Sequence, residues 1–324
     1  MGVKEEVLRA LRADEDGYVS GQALADGLGV SRHAVWKAID RLRSEGYEIE
    51  ARKNCGYKLL GTSDALSAEG VAVHLATDAP FRIEYHSLID STNNRARDLA
   101  EAGADEWTVV LADAQTAGRG RMGRPFYSPQ ASGIYMSVIV RPQCEAAHAN
   151  MLTLAAAAAV AEAIEDVCGV QAQIKWVNDL FVEGRKICGI LTEASVGLEE
   201  QQLRYAVVGI GINVAPPAGG VPEGLADVMT SIYQSPRTTE TRNLLVAAIL
   251  ERFRGYADNL LARDFLASYR DHLMVIGKRV RLVRGAEDEW VLVQALTDDG
   301  ALVVECDDGS IKEVFSGEVS LRFQ

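Results

Sequence analysis

"QTAGRGRMGRPFYSP" (115–129) sets three arginines and three glycines within positions 118–124, then stops at aromatics and prolines. Glycines ease positive φ angles and let a ligand approach the backbone closely. Arginines supply forked donors that match carboxylate and phosphate oxygens. One reading is an anion-binding loop; the other is a solvated turn or an arginine–glycine tract for nucleic acid.

The flanks of the loop read as strands, "WTVVLAD" (107–113) before it and "GIYMSVIV" (133–140) after it. Further out, "FRIEYHSLI" (81–89) reads as a strand, and Ser91 is a candidate cap for the helix "TNNRARDLAEAG" (92–103). Downstream come the alanine-rich helix "MLTLAAAAAVAEAI" (151–164), then "QIKWVNDLFVEGRKICGILTEASV" (173–196) as strand, turn, strand, and "RYAVVGIGINVA" (204–215) as a buried strand. The order β-α-β-loop-β-α-β-β-β lacks the regular alternation of a doubly wound sheet and predicts a mixed sheet with helices packed on it. No G-x-x-x-x-G-K-[ST] occurs, and "GIGIN" (209–213) has neither a third glycine nor a following helix. Phosphate is therefore expected to be handled by some other loop than a P-loop or a dinucleotide fingerprint, and 115–129 is the candidate.

The first sixty residues read differently. "EEVLRALRA" (5–13) and "GQALADGLGV" (21–30) are helical, and Ser31 is placed to cap "SRHAVWKAIDRLRSEG" (31–46), with Ala34, Val35, Ala38, Ile39 and Leu42 as its buried stripe. Helix, glycine turn and helix make a helix-turn-helix. "YEIEARKNCGYKLL" (47–60) adds two β-like runs around Asn54-Cys55-Gly56, a hairpin wing. The outward face of the third helix offers Arg32, His33, Trp36 and Lys37, and the wing offers Arg52 and Lys53; a protein-interaction module with a solvated charged face is the alternative to DNA binding. At the other end, "EWVLVQAL" (289–296), "ALVVEC" (301–306) and "SIKEVF" (310–315) are separated by Asp-Asp-Gly turns and read as short antiparallel strands.

Composition bounds these readings. The 324-residue chain carries a net charge of −13, with 48% hydrophobic and 24% charged residues. Residues 1–62 hold ten basic and ten acidic side chains, so the whole −13 lies in 63–324. Residues 31–58 alone are locally basic, seven against four. That excludes a general nucleic-acid binder and leaves one stretch where a polyanion is welcome. Five scattered cysteines form no C-x-x-C pair and five histidines no metal-ligand spacing, so neither a disulfide framework nor a structural metal is expected. The charged N-terminus and the absence of a long apolar run predict a cytoplasmic protein without a membrane partner.

Taken together, "DSTNNRA" (90–96), "AQTAGRGRMGRPFYSP" (114–129), "KWVNDLFVEGRKICGIL" (175–191) and "VVGIGINV" (207–214) resemble, in order and spacing, the biotin–protein ligases. "SRHAVWKAI" (31–39) with "GYKL" (56–59), and "GSIKEVFSGEVSLR" (309–322), resemble the DNA-binding arm and closing β segment of the bifunctional ligase/biotin operon repressor. The resemblance implies an α/β (α+β) fold: a winged helix-turn-helix (1–62), a class II synthetase-like ligase domain with a central mixed sheet (63–272), and a small SH3-like β barrel (273–324). It implies biotin, ATP and Mg²⁺, formation of biotinyl-5′-AMP, transfer to a lysine of a biotin carboxyl-carrier domain, and repression at operator DNA by a homodimer formed on biotinyl-AMP.

Biotin would be held by Ser91, Thr92, Asn93, Gln115, Gly118, Arg119, Gly120, Arg121, Lys186, Gly209 and Gly211. The nucleotide would be held by Arg121, Arg124, Phe126, Asn178 and Asn213, with Phe126 stacked on adenine. Arg119, Arg121, Lys175, Asp179 and Lys186 would frame the reacting centre, and Ser31, Arg32, His33, Trp36, Lys37, Arg52 and Lys53 would meet DNA. No protein metal site is implied. The sequence departs from the family at Val177, where a proline is usual, which is expected to loosen the backbone before Asn178. It departs again at Met122, often an arginine. Glu318 and Arg322 sit in the most family-like part of the closing segment. The alternatives left open are a lipoate-type acyl ligase of the same fold, a ligase with a non-functional arm, and a non-catalytic ligand-sensing regulator.

Overall fold

Ser31 starts the helix that organises the arm: its Oγ accepts from the amide of Ala34 at 3.1 Å. The computed structural model describes residues 2–14, 17–44, 47–60, 64–197, 202–235, 240–284, 287–315 and 317–320. Helices α1 (Val3–Ala13), α2 (Gly21–Leu28) and α3 (Arg32–Ser44) are followed by the antiparallel pair β1 (Ile49–Arg52) and β2 (Gly56–Leu59). Gly29, at φ +63°, ends α2 and turns the chain tightly into α3. Val7, Leu8, Leu11, Leu24, Val35, Ile39 and Leu42 form a core of the arm's own. Ala34, expected in that stripe, is only half-buried. Gly56 at the wing turn has φ +119°, and a Cβ there would lie 2.1 Å from the Val19 carbonyl oxygen. The expected division between arm and catalytic domain falls on residues 61–63, outside the described residues.

After the short helix α4 (Ala68–Ala72), the central domain is built from β3 (Arg82–His86), α5 (Thr92–Glu101), β4 (Thr108–Ala112), β5 (Gly133–Val140), α6 (Ala149–Cys168), β6 (Gln173–Lys175), β7 (Asp179–Val182), β8 (Arg185–Val196), β9 (Leu203–Asn213), α7 (Thr241–Asp258) and α8 (Phe265–His272). The stretch 173–196 thus holds three strands, one more than expected, because Trp176-Val177-Asn178 turns the chain between β6 and β7. The Trp176–Val177 peptide bond is cis. The sheet runs β3-β4-β5-β9-β8-β7-β6, with β3 and β4 parallel and the rest antiparallel.

Alternation along the strands divides the faces. Val109, Leu111, Val138 and Val208 point into the large core under α6 and α7, whereas Val110, Ile139 and Val207 pack under α5. Buried on all sides over residues 151–161, the alanine-rich part of α6 matches a helix with no polar face. The α5 face of the sheet is the one that carries the site. Among the described residues no helix is long and apolar enough to cross a membrane.

The C-terminal strands β10 (Arg279–Arg284), β11 (Glu287–Leu296), β12 (Leu302–Cys306), β13 (Ile311–Val314) and β14 (Glu318–Ser320) form an antiparallel sheet in the order β13-β12-β11-β10-β14. Its inner residues Val280, Leu282, Val293 and Val304 join the central core. The indole Nε1 of buried Trp176 donates to the Gly300 carbonyl at 3.0 Å, tying the two domains beside the β6–β7 turn. The Glu318 side chain and Arg322 lie outside the described residues. Trp176→Phe leaves the Gly300 carbonyl buried without that donor, and a loss of about 1–3 kcal/mol is expected. Chemical denaturation followed by fluorescence of the remaining tryptophans checks it.

Candidate functional site

At the N-terminus of α5 the chain lays a closed polar network against the sheet. The Gln115 Oε1 accepts from the Thr92 amide at 2.8 Å and from Thr92 Oγ1 at 3.2 Å, while Gln115 Nε2 donates to Ser128 Oγ at 2.9 Å. A backbone N–H can only donate, so the orientation of the Gln115 amide is fixed, and its second N–H remains to be offered to a ligand. Asn93 Nδ2 donates to Glu193 Oε2 at 2.8 Å. The buried hydroxyl of Ser137 lies 2.8 Å from Thr92 Oγ1 and 2.6 Å from Asn93 Oδ1. One hydroxyl hydrogen serves one acceptor at a time, so Thr92, Asn93 and Ser137 form a chain of alternating donors and acceptors. Ser91 is the cap residue of α5 by position but makes no side-chain cap bond; it is 2% exposed and lines the pocket.

Glycines make the floor. A Cβ on Gly209 would come 2.0 Å from Asn93 Oδ1, and one on Gly211 would come 2.6 Å from the ring of Phe126. The close approach expected at these two positions is therefore occupied here by Asn93 and Phe126. Phe126 also borders Gly189 and meets Tyr135 edge-on at 6.4 Å, leaving a pocket of about 30 Å³ over the floor. Gly118 is crowded by Ser128, Phe126 and Gln115 within 2.9 Å, so a side chain there would break the network.

Next to this pocket, and sharing Phe126, Arg119, Gly189 and Leu191 with it, opens a cavity of about 610 Å³. The loop folds back on itself above it, with Phe126 N donating to Gly118 O and Gly120 N to Arg124 O. At its tip Met122 adopts φ +56° and is 81% exposed. Gly120, Arg121, Arg124, Asn178, Asp179 and Lys186 all line the cavity. Arg121 Nη1 donates to Asn178 Oδ1 at 2.9 Å, and Lys186 Nζ pairs with Asp179 Oδ1 at 2.7 Å. Arg119 donates to Asn94 Oδ1 at 2.5 Å and stands 3.7 Å from Glu193. The Asp90 carboxyl beside it is held below its ordinary range by hydrogen bonds from the Asn94 amide and the Ser91 N–H, with a smaller contribution from the Arg119 charge. Four cations, Arg119, Arg121, Arg124 and Lys186, from two separated segments thus border one space, an arrangement that binds anions.

Three expected residues line neither the pocket nor the cavity: Gly118, packed within the loop, Lys175 and Asn213. Lys175 lies with its amine 5.5 Å above the Phe181 ring. Buried Asn213 donates to the Thr230 carbonyl at 3.2 Å, and Thr230 N in turn donates to Lys186 O at 2.9 Å. Asn213 is thus joined to the backbone of Lys186 through Thr230. Ser128, Ser137, Glu193 and Tyr135 belong to the site without having been expected. So do Val283 and Gly317 of the C-terminal domain, which close the large cavity from its far side. A lone polar residue in an apolar strand, Ser137 in "GIYMSVIV", is the one signal that could have been read. Among the described residues no cluster of three or more metal-ligating side chains occurs.

On the arm, Ser31, Arg32, His33, Trp36 and Lys37 are exposed along the start of α3, as are Arg52 and Lys53 on the wing. His33 and Trp36 stack at 5.8 Å and 14°, and Trp36 is 51% exposed. Arg52 lies over the Tyr18 ring at 5.9 Å.

This geometry has counterparts in known proteins. The model of the Biotin/lipoate A/B protein ligase family matches residues 85–213, an HTH domain model matches 3–58, and the Biotin protein ligase C terminal domain model matches 275–322. The bifunctional ligase/repressor BirA of Bacillus subtilis is 35% identical over 98% of both chains, and that of Escherichia coli is 30% identical over 94% of this chain and 93% of its own. The biotin protein ligase of Aquifex aeolicus, solved in complex with biotin and ATP, superposes with a TM-score of 0.60 at 28% identity, covering 75% of this chain and 99% of the other.

The glycine floor makes a paired prediction. Gly209→Ala forces a Cβ into Asn93 and should cost about 1–3 kcal/mol of stability. Gly120→Ala, with 3.6 Å to the nearest atom, should leave stability unchanged. Thermal melts of the two variants side by side test the difference.

Proposed function

The chain belongs to the bifunctional biotin ligase/repressor family, and on that premise we propose how its own residues carry out the ligase chemistry and meet DNA. It is an ATP-dependent biotin–protein ligase. The carboxylate of biotin attacks the α-phosphate of ATP; an O–P bond forms, the bond to pyrophosphate breaks, and biotinyl-5′-AMP results. The amine of a carrier lysine then attacks the acyl carbon, an amide forms, AMP leaves, and a proton passes to a nearby base.

The observation that carries this reading is the meeting of Arg119, Arg121 and Lys186 at one cavity beside the polar glycine floor. Two anions about 4 Å apart repel by roughly 4 kcal/mol at a protein surface, and by more once water is excluded. Arg119, released from Asn94, closes on the biotin carboxylate, with Gly118 and Gly120 letting the loop backbone follow. Arg121, Arg124 and Lys186 take the phosphate oxygens and the charge that grows on them in the transition state. Thr92, Asn93 and Gln115, with Ser91 beside them, give a ureido ring the donors and acceptors it needs, and the same set gives an apolar dithiolane ring nothing. That favours biotin over lipoate within the family.

For the valeryl chain to lie over Gly209 and Gly211, Phe126 leaves the floor and turns to the adenine, where Asn178 meets it and Asn213 supports it through Thr230. Asp179 carries two roles, holding Lys186 before ligand arrives and taking the carrier lysine's proton afterwards. Lys175, paired with Asp179 across β6 and β7, sets the charge beside that carboxylate. Mg²⁺ would come with the triphosphate, held by phosphate oxygens and water rather than by a protein site, and would neutralise phosphate charge.

Residues 1–62 are assigned to operator DNA, 63–272 to chemistry, and 273–324 to closing the cavity through Val283 and Gly317. Arg32, His33, Trp36 and Lys37 enter the groove behind Ser31, and Arg52 and Lys53 hold the flanking backbone. Biotinyl-AMP favours a cytoplasmic homodimer that presents two arms to two half-sites.

Incubation with biotin, Mg-ATP and a carboxyl-carrier domain, read by mass, tests the ligase; lipoate in place of biotin tests the specificity. Lys186→Ala should slow biotin-dependent pyrophosphate release about 10²–10³-fold. Trp36→Ala should weaken operator binding by about 1–3 kcal/mol while leaving biotin transfer at its full rate, measured by titration of labelled operator at fixed salt.

A further inference from the structure

A heavily bonded buried charge lies outside both sites. Arg242, in the first turn of α7, is 4% exposed. Its backbone N–H donates to Asp64 Oδ1 at 2.9 Å, and its Nε donates to Asp64 Oδ2 at 3.1 Å and to the Asp64 carbonyl at 3.0 Å, which Nη2 also reaches. Asp64 belongs to the segment that leads out of the DNA-binding arm. From the same guanidinium, Nη1 donates to Asp113 Oδ1 at 2.6 Å and to the Gly133 carbonyl at 3.3 Å.

Asp113 and Gly133 stand at the ligand-facing ends of β4 and β5. Two residues beyond Asp113 is Gln115, and the intervening Ala114 accepts from the Ile89 amide, on the loop that carries Ser91. A movement of Asp113 therefore moves both Ser91 and Gln115.

The neighbours of Arg242 on α7 grip the arm as well. Asn243 Nδ2 donates to the Ala65 carbonyl at 2.8 Å, and its Oδ1 accepts from the Ser67 amide at 3.2 Å. Ser67 Oγ meets the hydroxyl of Tyr47, an arm residue, at 3.1 Å. Glu240 forms an ion pair with Arg12 of α1 and lies 3.0 Å from His74. Of Glu240, Arg242 and Asn243 at the start of α7, Arg242 alone reaches the ligand side.

We propose that Arg242 is a positioning residue for the biotin site, and that through it the arm's connecting segment and the Gln115 strand share one buried guanidinium. This rests on the assignment of biotin to the Gln115 pocket. Two carboxylates are balanced on a single cation, and removing either partner from a buried pair unbalances the other. With Asp64 in its seat, the plane of the guanidinium is fixed and Asp113 is held where Gln115 can offer its free N–H. With Asp64 withdrawn, Arg242 turns freely about Asp113 and the strand end loosens. Linkage is reciprocal, so a ligand that draws Gln115 inward also tightens the seat of Asp64 and hence of the arm.

Pyrophosphate release by the full chain, at varied biotin and saturating Mg-ATP, is the test. Asp64→Asn and Arg242→Lys should each raise the KM for biotin about five-fold or more, the low end of couplings between linked sites, with kcat within two-fold. Arg12→Ala loosens the same joint without touching Asp113 and should leave KM unchanged. An unchanged KM in Asp64→Asn overturns the proposal, as does an equal rise in all three variants, which would mean general loosening. Should the wild type turn over another acyl acid instead of biotin, the biotin assignment fails separately. The same three variants are then compared on that acid, with the same outcomes deciding.

Discussion

Two negative groups have to be brought together and kept from parting, and the repulsion between them governs what surrounds the cavity. A cation free in the unliganded cavity would be disordered and solvated, and ordering it at the moment of binding would cost side-chain entropy. Here Arg121 rests on the Asn178 amide, a neutral acceptor it can leave cheaply. Lys186 rests on Asp179, and Arg119 on Asn94 near Glu193. Each positive group is held near its working position by a partner that a phosphate or carboxylate can replace. Because Lys186 is also bonded through its backbone to Val228 and Thr230, its charge is anchored at the chain and not only at its tip.

The neutral half of the site follows a different rule. Charge tolerates some misalignment, whereas a network of single hydrogen bonds does not. In the Gln115–Thr92–Ser137–Asn93–Glu193 chain, Thr92, Asn93 and Ser137 are accordingly buried and carried by α5 and β5, Glu193 comes from β8, and only Gln115 comes from the start of the loop. The loop brings the charges; the helix and sheet bring the shape.

Much of this could be read from residue order. The helix-turn-helix is written in a serine cap, a glycine turn and a stripe of apolar residues, all local signals that tertiary packing does not override. The Asp-Asp-Gly turns announce the C-terminal strands in the same way. The density of arginine in 118–124 points to an anion wherever the loop ends up. What was hidden depends on register and on distance along the chain. An apolar run such as 173–196 conceals the break at 176–178 because every residue in it suits a strand. Lys175 and Lys186 look equivalent in sequence, yet only the turn between β7 and β8 carries one of them to the cavity. Phe126 reads as an aromatic awaiting a ring, while in the folded chain it covers a glycine. Arg242 and Asp64 are 178 residues apart, and no local pattern joins them.

The distribution of charge between arm and body bears on how the two activities coexist. All of the net −13 belongs to residues 63–324, while the locally basic residues 31–58 face outward on α3 and the wing. A polyanion approaching the body is repelled at distances up to about a Debye length, roughly 8 Å in physiological salt. It meets a favourable surface only at the arm. The arginines and lysine of the cavity are already partnered and sit within a negatively charged body, which disfavours DNA there. With Arg32, Lys37, Arg52 and Lys53 exposed, the proposed contact with DNA would draw on phosphate neutralisation as well as on groove contacts such as the His33–Trp36 stack. In the proposed homodimer, two arms held at a fixed spacing would raise the effective concentration of the second contact, and operator occupancy would then depend on pairing.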